Sequence, residues 1–150
     1  MPNTKPSSPD DDTMLAEPAT AARAAAEPGD WLSFALDHHD QIRSAFEIAR
    51  KAPPGGARIS AMKGLAVVLN GHSLGEEVVL YPALAAVGNA GHAREAYAEQ
   101  TEAKVHMADL ERLDPADDAW LEMLEQIRAA VLAHMTEEES TWFLEIKSEY

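Results

Sequence analysis

Two short stretches of the chain share one spacing: residues 72–76 read HSLGE and residues 134–138 read HMTEE. In each stretch a histidine precedes a glutamate by four residues, and apolar residues lie on either side. On an α-helix, residues four apart stand one turn apart on the same face, so both side chains can reach one point. The spacing therefore predicts two helices that each present a histidine and a glutamate on one face.

The apolar pattern around these stretches is helical from Asp30 onward, without strand-like alternation. Segments rich in Pro, Gly and Asp, which typically end helices, interrupt the pattern at 52–56 (APPGG), 87–91 (VGNAG) and 113–118 (LDPADD). Four helices joined by short connections pack as an up-down-up-down bundle. We therefore expect an all-α four-helix bundle over residues 30–150.

Residues 1–29 have a different composition, rich in Pro, Ala, Ser and Asp with almost no large apolar side chain. Such a segment buries too little apolar surface to offset the entropy of ordering it. We expect residues 1–29 to be a disordered tail.

The bulk composition narrows the classes of function. The chain has 150 residues, a formal net charge of -14 and no cysteine. The acidic balance argues against nucleic acid and anionic membrane surfaces as partners, since both attract Lys and Arg. The lack of cysteine excludes disulfides, iron–sulfur clusters and thiolate zinc sites. No run approaches the roughly 18 apolar residues of a membrane span, and no signal peptide is recognised, so the expected compartment is the cytoplasm.

Histidines and glutamates lie on the faces of the predicted helices that point into the bundle. Val79 and Thr141 are also predicted to face inward. Buried without partners, such groups cost several kcal/mol each, in a domain stabilised by only about 5–15 kcal/mol. None of the 12 Lys and Arg residues falls on these faces, so a bound metal is the expected compensating charge. Imidazole and carboxylate without thiolate suit iron, manganese or zinc. The predicted metal ligands are His39, His72, Glu76, His106, His134 and Glu138.

Four segments together resemble the hemerythrin-like HHE cation-binding domain family, over about residues 31–146. These segments are ALDHHDQIRSAF, HSLGEEVVLYPAL, LDPADDAW and VLAHMTEEE. The resemblance implies a four-helix bundle that holds a non-haem di-iron centre, oxo- or hydroxo-bridged, in its core. It also implies dioxygen, peroxide or nitric oxide as the small partner, or a role in handling iron.

The resemblance also implies how the ligands divide between two irons. His39, His72, Glu76 and Glu138 would surround one iron. His134, the two bridging glutamates and a ligand from the third helix would surround the other.

The identity of that third-helix ligand stays open. The family's usual histidine falls at about Gln100, a poor metal ligand, whereas helical periodicity favours His106. Glu102, one turn before His106, could partner it, and the site could hold one metal or two.

The sequence also predicts positions for several residues next to the predicted ligands. Glu77, Glu137 and Glu139 are expected on the solvated face, with Glu99 as a surface charge. Tyr81 is expected to be a packing residue with its hydroxyl near the surface, and a tyrosinate ligand to ferric iron is the alternative.

Three functions remain from the sequence. The first is an iron protein that binds or senses an oxidant. The second is a di-iron enzyme that disproportionates peroxide or activates oxygen, since a metal site supplies Lewis acidity or redox chemistry. The third is a metal-free acidic module that binds a protein partner.

Overall fold

The structure, a computed structural model, describes the backbone of residues 16–150 and the side chains of residues 21–150. All regular structure in this range is helical. The helices are α1 (Ala16–Ala25), α2 (Trp31–Lys51), α3 (Gly56–Gly75), α4 (Tyr81–Ala86), α5 (Ala90–Arg112), α6 (Asp118–Glu137) and α7 (Phe143–Lys147). Two π-helical turns, Glu76–Leu80 and Glu138–Trp142, join α3 to α4 and α6 to α7. The four rods α2, α3–α4, α5 and α6–α7 confirm the predicted all-α bundle. No helix in the described range is long and apolar enough to cross a membrane.

The ends of the rods follow from local chemistry. Asp30 caps α2, because its carboxylate accepts hydrogen bonds from the backbone N–H groups of Ser33 (2.7 Å) and Glu27 (2.9 Å). These hydrogen bonds lower the pKa of Asp30 from 3.8 to about 2, and the bond from Glu27 has the largest effect. The hydrogen bond and charge of Lys147 lower this pKa further. Gly55 has a φ of 103°, in the left-handed region that favours glycine, where the chain turns into α3.

Both π-helical turns begin at the glutamate of a His-x-x-x-Glu element. In a π turn, an N–H bonds to the carbonyl five residues back instead of four. The Tyr81 N–H donates to the Glu76 carbonyl, and the Phe143 N–H donates to the Glu138 carbonyl. Each turn therefore contains one residue more than an α-helical turn, which changes the face presented by every residue after it.

This change of phase corrects part of the sequence prediction. Val79, predicted to face inward, is 59 % exposed, while Leu80 is buried. Thr141 is only partly buried, and its neighbour Trp142 takes the interior position. A regular helical spacing cannot anticipate the extra residue, so the predicted faces are correct before each π turn and displaced after it.

A polar layer separates two apolar parts of the core. The first part includes Leu32, Leu36, Leu84, Trp142 and Phe143. The second includes Ile42, Phe46, Leu65, Leu110 and Leu124. His39 is fully buried on α2 between these two groups. The apolar clusters thus fix the rods on both sides of the layer that contains the histidines and glutamates.

The segment predicted as a tail differs from the structure in its second half. Residues 16–25 form α1, Ala22 is fully buried in the first apolar cluster, and Arg23 pairs with Asp37 and Asp40 of α2 at 2.8 Å each. Small alanine side chains allow this helix to lie close against the bundle although it has little apolar surface of its own. Residues 1–15 lie outside the described residues, and the boundary of the bundle domain at residue 30 stays a prediction.

Candidate metal centre

Four buried side chains from three rods converge in the polar layer. They are His39 on α2, His72 at the end of α3, and Glu76 and Glu138 at the first positions of the two π turns. One nitrogen or oxygen of each lies within 4.8 Å of the corresponding atoms of the others. Such a group of imidazoles and carboxylates has the donor atoms and the spacing to hold a metal ion.

Glu139, which is 100 positions later in the chain, sets the orientation of the His39 ring. His39 Nδ1 lies 2.7 Å from Glu139 Oε1, and Arg43 Nη2 donates to the same oxygen at 2.7 Å. Burial disfavours the ionised carboxylate, but the hydrogen bonds from His39 and Arg43 hold the pKa of Glu139 below its ordinary value. With Nδ1–H donating to Glu139, the His39 Nε2 lone pair faces the interior, 3.5 Å from Glu138 Oε1.

Glu76 is ionised in spite of its burial. Desolvation raises its pKa, but the adjacent His72, with smaller contributions from His39 and His134, brings the pKa below its ordinary value. His72 Nε2 contacts Glu76 Oε1 directly. The other carboxylate oxygen, Glu76 Oε2, accepts a hydrogen bond from the Tyr81 hydroxyl. The two oxygens of Glu76 therefore contact different neighbours.

His134 lies on the side of the polar layer that Glu76 Oε2 faces. His134 Nδ1 lies 2.5 Å from Glu99 Oε2, which leaves Nε2 facing the interior, 3.2 Å from Glu138 Oε1 and 2.9 Å from the Tyr81 hydroxyl. The Tyr81 hydroxyl also donates to Glu76 Oε2 at 2.9 Å. His39 and His134 each have a carboxylate behind the ring, an arrangement that fixes the tautomer of metal-binding histidines.

A short chain of hydrogen bonds holds the Tyr81 hydroxyl in place. Ser73 Oγ donates to Gln100 Oε1 at 2.5 Å, which turns the Gln100 amide nitrogen toward the tyrosine, and that nitrogen donates to the Tyr81 oxygen at 2.7 Å. Tyr81 is 1 % exposed, and burial, with the negative charge of Glu76, raises the pKa of its hydroxyl far above the ordinary value.

Unpartnered polar atoms show that the layer suits a cation. Within the described part of the chain, His39 Nε2, His72 Nε2 and Glu138 Oε1 are buried without a hydrogen-bond partner. Buried polar atoms in native proteins nearly always have one. All three atoms belong to the group that converges in the layer. A positive ion among them would satisfy the lone pairs that no donor reaches, so these residues fit a metal.

A cavity of about 460 Å³ connects this layer to the surface between α3, α5 and α6. Its inner wall includes His72, Glu76, His134 and Glu138, and its apolar wall includes Ile42, Leu69, Met107, Val131 and Met135. A small molecule from solvent can therefore reach one side of the convergent group.

The family model for the hemerythrin HHE cation binding domain matches residues 32–146. The chain belongs to the hemerythrin HHE cation-binding domain family. A DNA nickase from Nostoc sp. is 31 % identical over 80 residues, an alignment that covers 53 % of this chain and 23 % of the relative. The chain thus spans less than a quarter of the length of that curated relative. No solved structure matches the chain significantly.

The structure brings together most of the residues that the sequence singled out for this hemerythrin-like site. His39, His72, Glu76 and Glu138 form one group, and His134 is adjacent to it. A buried His/Glu group inside an HHE cation-binding domain fits a metal-binding protein. Ligation by these five residues stays a prediction.

His106 is the exception among the predicted ligands. It is partly buried and lines the cavity, but it is not a member of the convergent group. The α5 residue in the polar layer is Gln100, which is buried. His106 lies six residues further along α5, roughly 9 Å at 1.5 Å per residue, beside the second apolar cluster. The family position, and not the apolar periodicity, identified the α5 residue at the site.

Two neighbouring residues, Glu139 and Tyr81, differ from their sequence-based expectations, and a third, Glu99, has a contact that the sequence did not predict. Glu139 is 1 % exposed instead of solvated, because two successive side chains of the second π turn face the interior. The Tyr81 hydroxyl is in the polar layer and not near the surface. Glu99 is 40 % exposed and still pairs with His134. The repeated position five residues after each glutamate, Tyr81 and Phe143, was the signal in the sequence that could have located the tyrosine.

Proposed function

We propose that this protein is a non-haem iron protein that holds a di-iron centre in the polar layer and binds or senses a small oxidant: dioxygen, peroxide or nitric oxide. The observation that supports the proposal is the set of unpartnered, buried nitrogen and oxygen atoms of His39, His72 and Glu138. The cytoplasm as its compartment belongs to the proposal and rests on the sequence.

Two irons are proposed because the donor atoms lie in two overlapping neighbourhoods, which share Glu138 Oε1. Around the first are His39, His72, Glu76 Oε1 and Glu138 Oε1. Around the second are His134 and Glu76 Oε2, with Glu138 Oε1 3.2 Å from the His134 ring. Glu76 and Glu138 are the carboxylates that could bridge the two. Iron would supply a redox-active Lewis acid at this position.

The residues around the proposed centre hold its ligands in place and determine how a small molecule reaches it. Glu139 and Glu99 hold the two histidine rings with Nε2 inward. The apolar clusters exclude water from either end of the layer. The cavity offers a diatomic molecule or peroxide an approach from the surface.

Metal analysis of the protein purified from iron-replete cells tests the proposal. We expect two irons per chain and near-ultraviolet absorption from an oxo-bridged pair. The matched control is a His39→Ala/His72→Ala double variant, which retains the fold signal in circular dichroism and loses iron. Purified protein without iron above background would contradict the proposal.

An enzyme that disproportionates hydrogen peroxide is the second candidate, and the open cavity beside the polar layer favours it. Iron-loaded protein would then release oxygen from peroxide over many turnovers. A single bleaching event per centre would support binding or sensing instead.

DNA nicking is not part of the proposal. The relative with that name is matched over 23 % of its length, and the net charge of -14 opposes binding to phosphates. A metal-free interaction module is the third possibility from the sequence. It requires that iron neither binds the protein nor raises its melting temperature.

A further inference from the structure

The cavity beside the polar layer is much larger than dioxygen or hydrogen peroxide. Its volume is about 460 Å³, whereas a water molecule takes up roughly 30 Å³ of the liquid, and these two oxidants have only two non-hydrogen atoms each. Cavities of roughly 300–1,000 Å³ typically bind organic molecules. The volume therefore suits an oxidant that includes an organic group.

One wall of the cavity is apolar. Four of its side chains are buried members of the second apolar cluster, and a fifth is partly buried: Ile42, Leu69, Val131 and Met135, with Met107. They belong to α2, α3, α5 and α6, so the packing of four rods holds this wall in place. The flexible thioethers of the two methionines can adapt to the shape of an apolar group. This wall therefore favours a hydrocarbon group over water.

The charged residues of the cavity oppose an anionic ligand. The lining includes the carboxylates of Glu95, Glu102 and Glu137 in addition to those of the polar layer. Lys104 is the only lysine or arginine among the described residues that line the cavity, and its ammonium group pairs with Glu77. An anion would meet like charges in the cavity, and like charges repel. We therefore expect an uncharged ligand.

The inner end of the cavity is polar. His72, Glu76, His134 and Glu138 line it, and His72 Nε2 and Glu138 Oε1 are buried without a hydrogen-bond partner. A molecule with one polar end and one apolar end therefore has a matching surface for each. Among the oxidants of the proposed function, only a peroxide can include an organic group.

We propose that the oxidant of this site is an uncharged organic hydroperoxide, ROOH, whose organic group R lies against the apolar wall and whose hydroperoxy group faces the polar layer. The inference rests on the proposed function and narrows it. Reduction of ROOH breaks the O–O bond: the terminal oxygen leaves as water, and the oxygen bonded to R remains in the alcohol ROH. The reaction consumes two electrons and two protons. The electrons come from two ferrous ions, which become ferric, and the protons come from bulk water.

Binding of the alcohol product to the full-length, iron-loaded, air-oxidised protein tests the site without turnover. The probes are cumyl alcohol, the product of cumene hydroperoxide, and para-cumenesulfonate, a weakly coordinating anion of similar size. We expect cumyl alcohol to bind saturably, with one molecule per chain, in titration calorimetry. The sulfonate should bind roughly tenfold or more weakly, because the lining contains carboxylates. Absence of saturable alcohol binding, or equal affinity for the two probes, would overturn the proposal.

Ala103→Phe tests whether the alcohol occupies this cavity. Ala103 lines the cavity from α5, and a phenyl ring there would take up the space that the ligand needs, so the affinity for cumyl alcohol should fall roughly tenfold or more. The matched control is Ala108→Phe, at an exposed position of the same helix outside the cavity wall, which should bind as the wild type does. Equal affinities in the two variants would place the alcohol elsewhere and overturn the proposal. If Ala103→Phe does not fold, the preference of the wild-type protein for the alcohol over the sulfonate still decides.

A single turnover of the ferrous protein tests the reduction itself. One cumyl alcohol should form per two ferrous ions, and cumene hydroperoxide should oxidise the iron faster than the same concentration of hydrogen peroxide does. Acetophenone as the main product would indicate one-electron cleavage and contradict the proposed step. Protein that contains two irons but binds no alcohol, or that reacts faster with hydrogen peroxide, would overturn the organic hydroperoxide and leave the proposed function standing. Protein without iron would overturn both.

Discussion

Glu139 Oε1 lies 2.7 Å from His39 Nδ1, although the two residues are 100 positions apart in the chain. Both side chains are almost fully buried, and Arg43 supplies the second hydrogen bond to the same carboxylate oxygen. The pair determines which nitrogen of His39 faces the polar layer. A residue outside the convergent group thus controls the lone pair of a residue within it.

Glu139→Gln should weaken metal binding while leaving the predicted ligands in place. The neutral amide removes the negative charge that fixes the His39 tautomer and raises the basicity of its Nε2. Partners of this kind typically contribute 10–100-fold in metal affinity, so we expect a loss of roughly tenfold or more. Competition with a chromophoric chelator measures it. Glu137→Gln makes the same change of charge at an exposed neighbour and should have no such effect. Equal affinities for the two variants would contradict the role of Glu139.

Removal of the metal should lower the melting temperature. A ligand that binds the folded state at a thousand times its Kd stabilises that state by about 4 kcal/mol. In a chain of this size, that corresponds to roughly 10 °C. Scanning calorimetry before and after chelation, with re-addition of ferrous iron, measures the shift. Mg²⁺ at the same concentration is the control, since it prefers an octahedral oxygen site. Coincident transitions with and without iron would speak against a metal in the core.

Phe46→Ala should destabilise the bundle without changing the number of metals bound. Phe46 is fully buried in the second apolar cluster, on the same helix as His39. Truncating a buried phenylalanine costs about 3–5 kcal/mol, because transfer energy is lost and a cavity is left. Urea unfolding of the metal-free protein gives the difference. Ile48→Ala, at a position 64 % exposed on the same helix, should stay within about 0.5 kcal/mol of wild type. A comparable cost at both positions would mean that Phe46 is not a core residue.

The cap at the start of α2 should stabilise the protein in a pH-dependent way. The folded-state pKa of Asp30, about 2, is below its ordinary value of 3.8. The contribution of the ionised carboxylate is therefore complete above the ordinary pKa and disappears as pH falls through the folded-state pKa. Urea midpoints of wild type and Asp30→Asn should differ at pH 7 and converge as pH falls from about 4 toward 2. A difference that is constant over this range would exclude the carboxylate charge as its source.

Within a single helix, the sequence was a reliable guide to this protein. The spacing of His39, His72 and Glu76 with their apolar neighbours identified inward faces, and the Pro, Gly and Asp segments located the turns between rods. These features are local, because an α-helix repeats every 3.6 residues and its side chains follow the backbone. The predicted positions hold up to the glutamate of each His-x-x-x-Glu element.

Beyond those glutamates, the tertiary structure decided the arrangement. The i→i+5 bonds of Tyr81 and Phe143 add a residue to the helical turn, which moved Leu80 and Glu139 inward. Periodicity favoured His106, but the packing of α5 against the other rods placed Gln100 beside Tyr81. Spacing along one helix determines which residues share a face. Which residue of that face lies opposite a given residue of the next helix depends on contacts between residues far apart in the chain. Only the folded bundle brings those residues together.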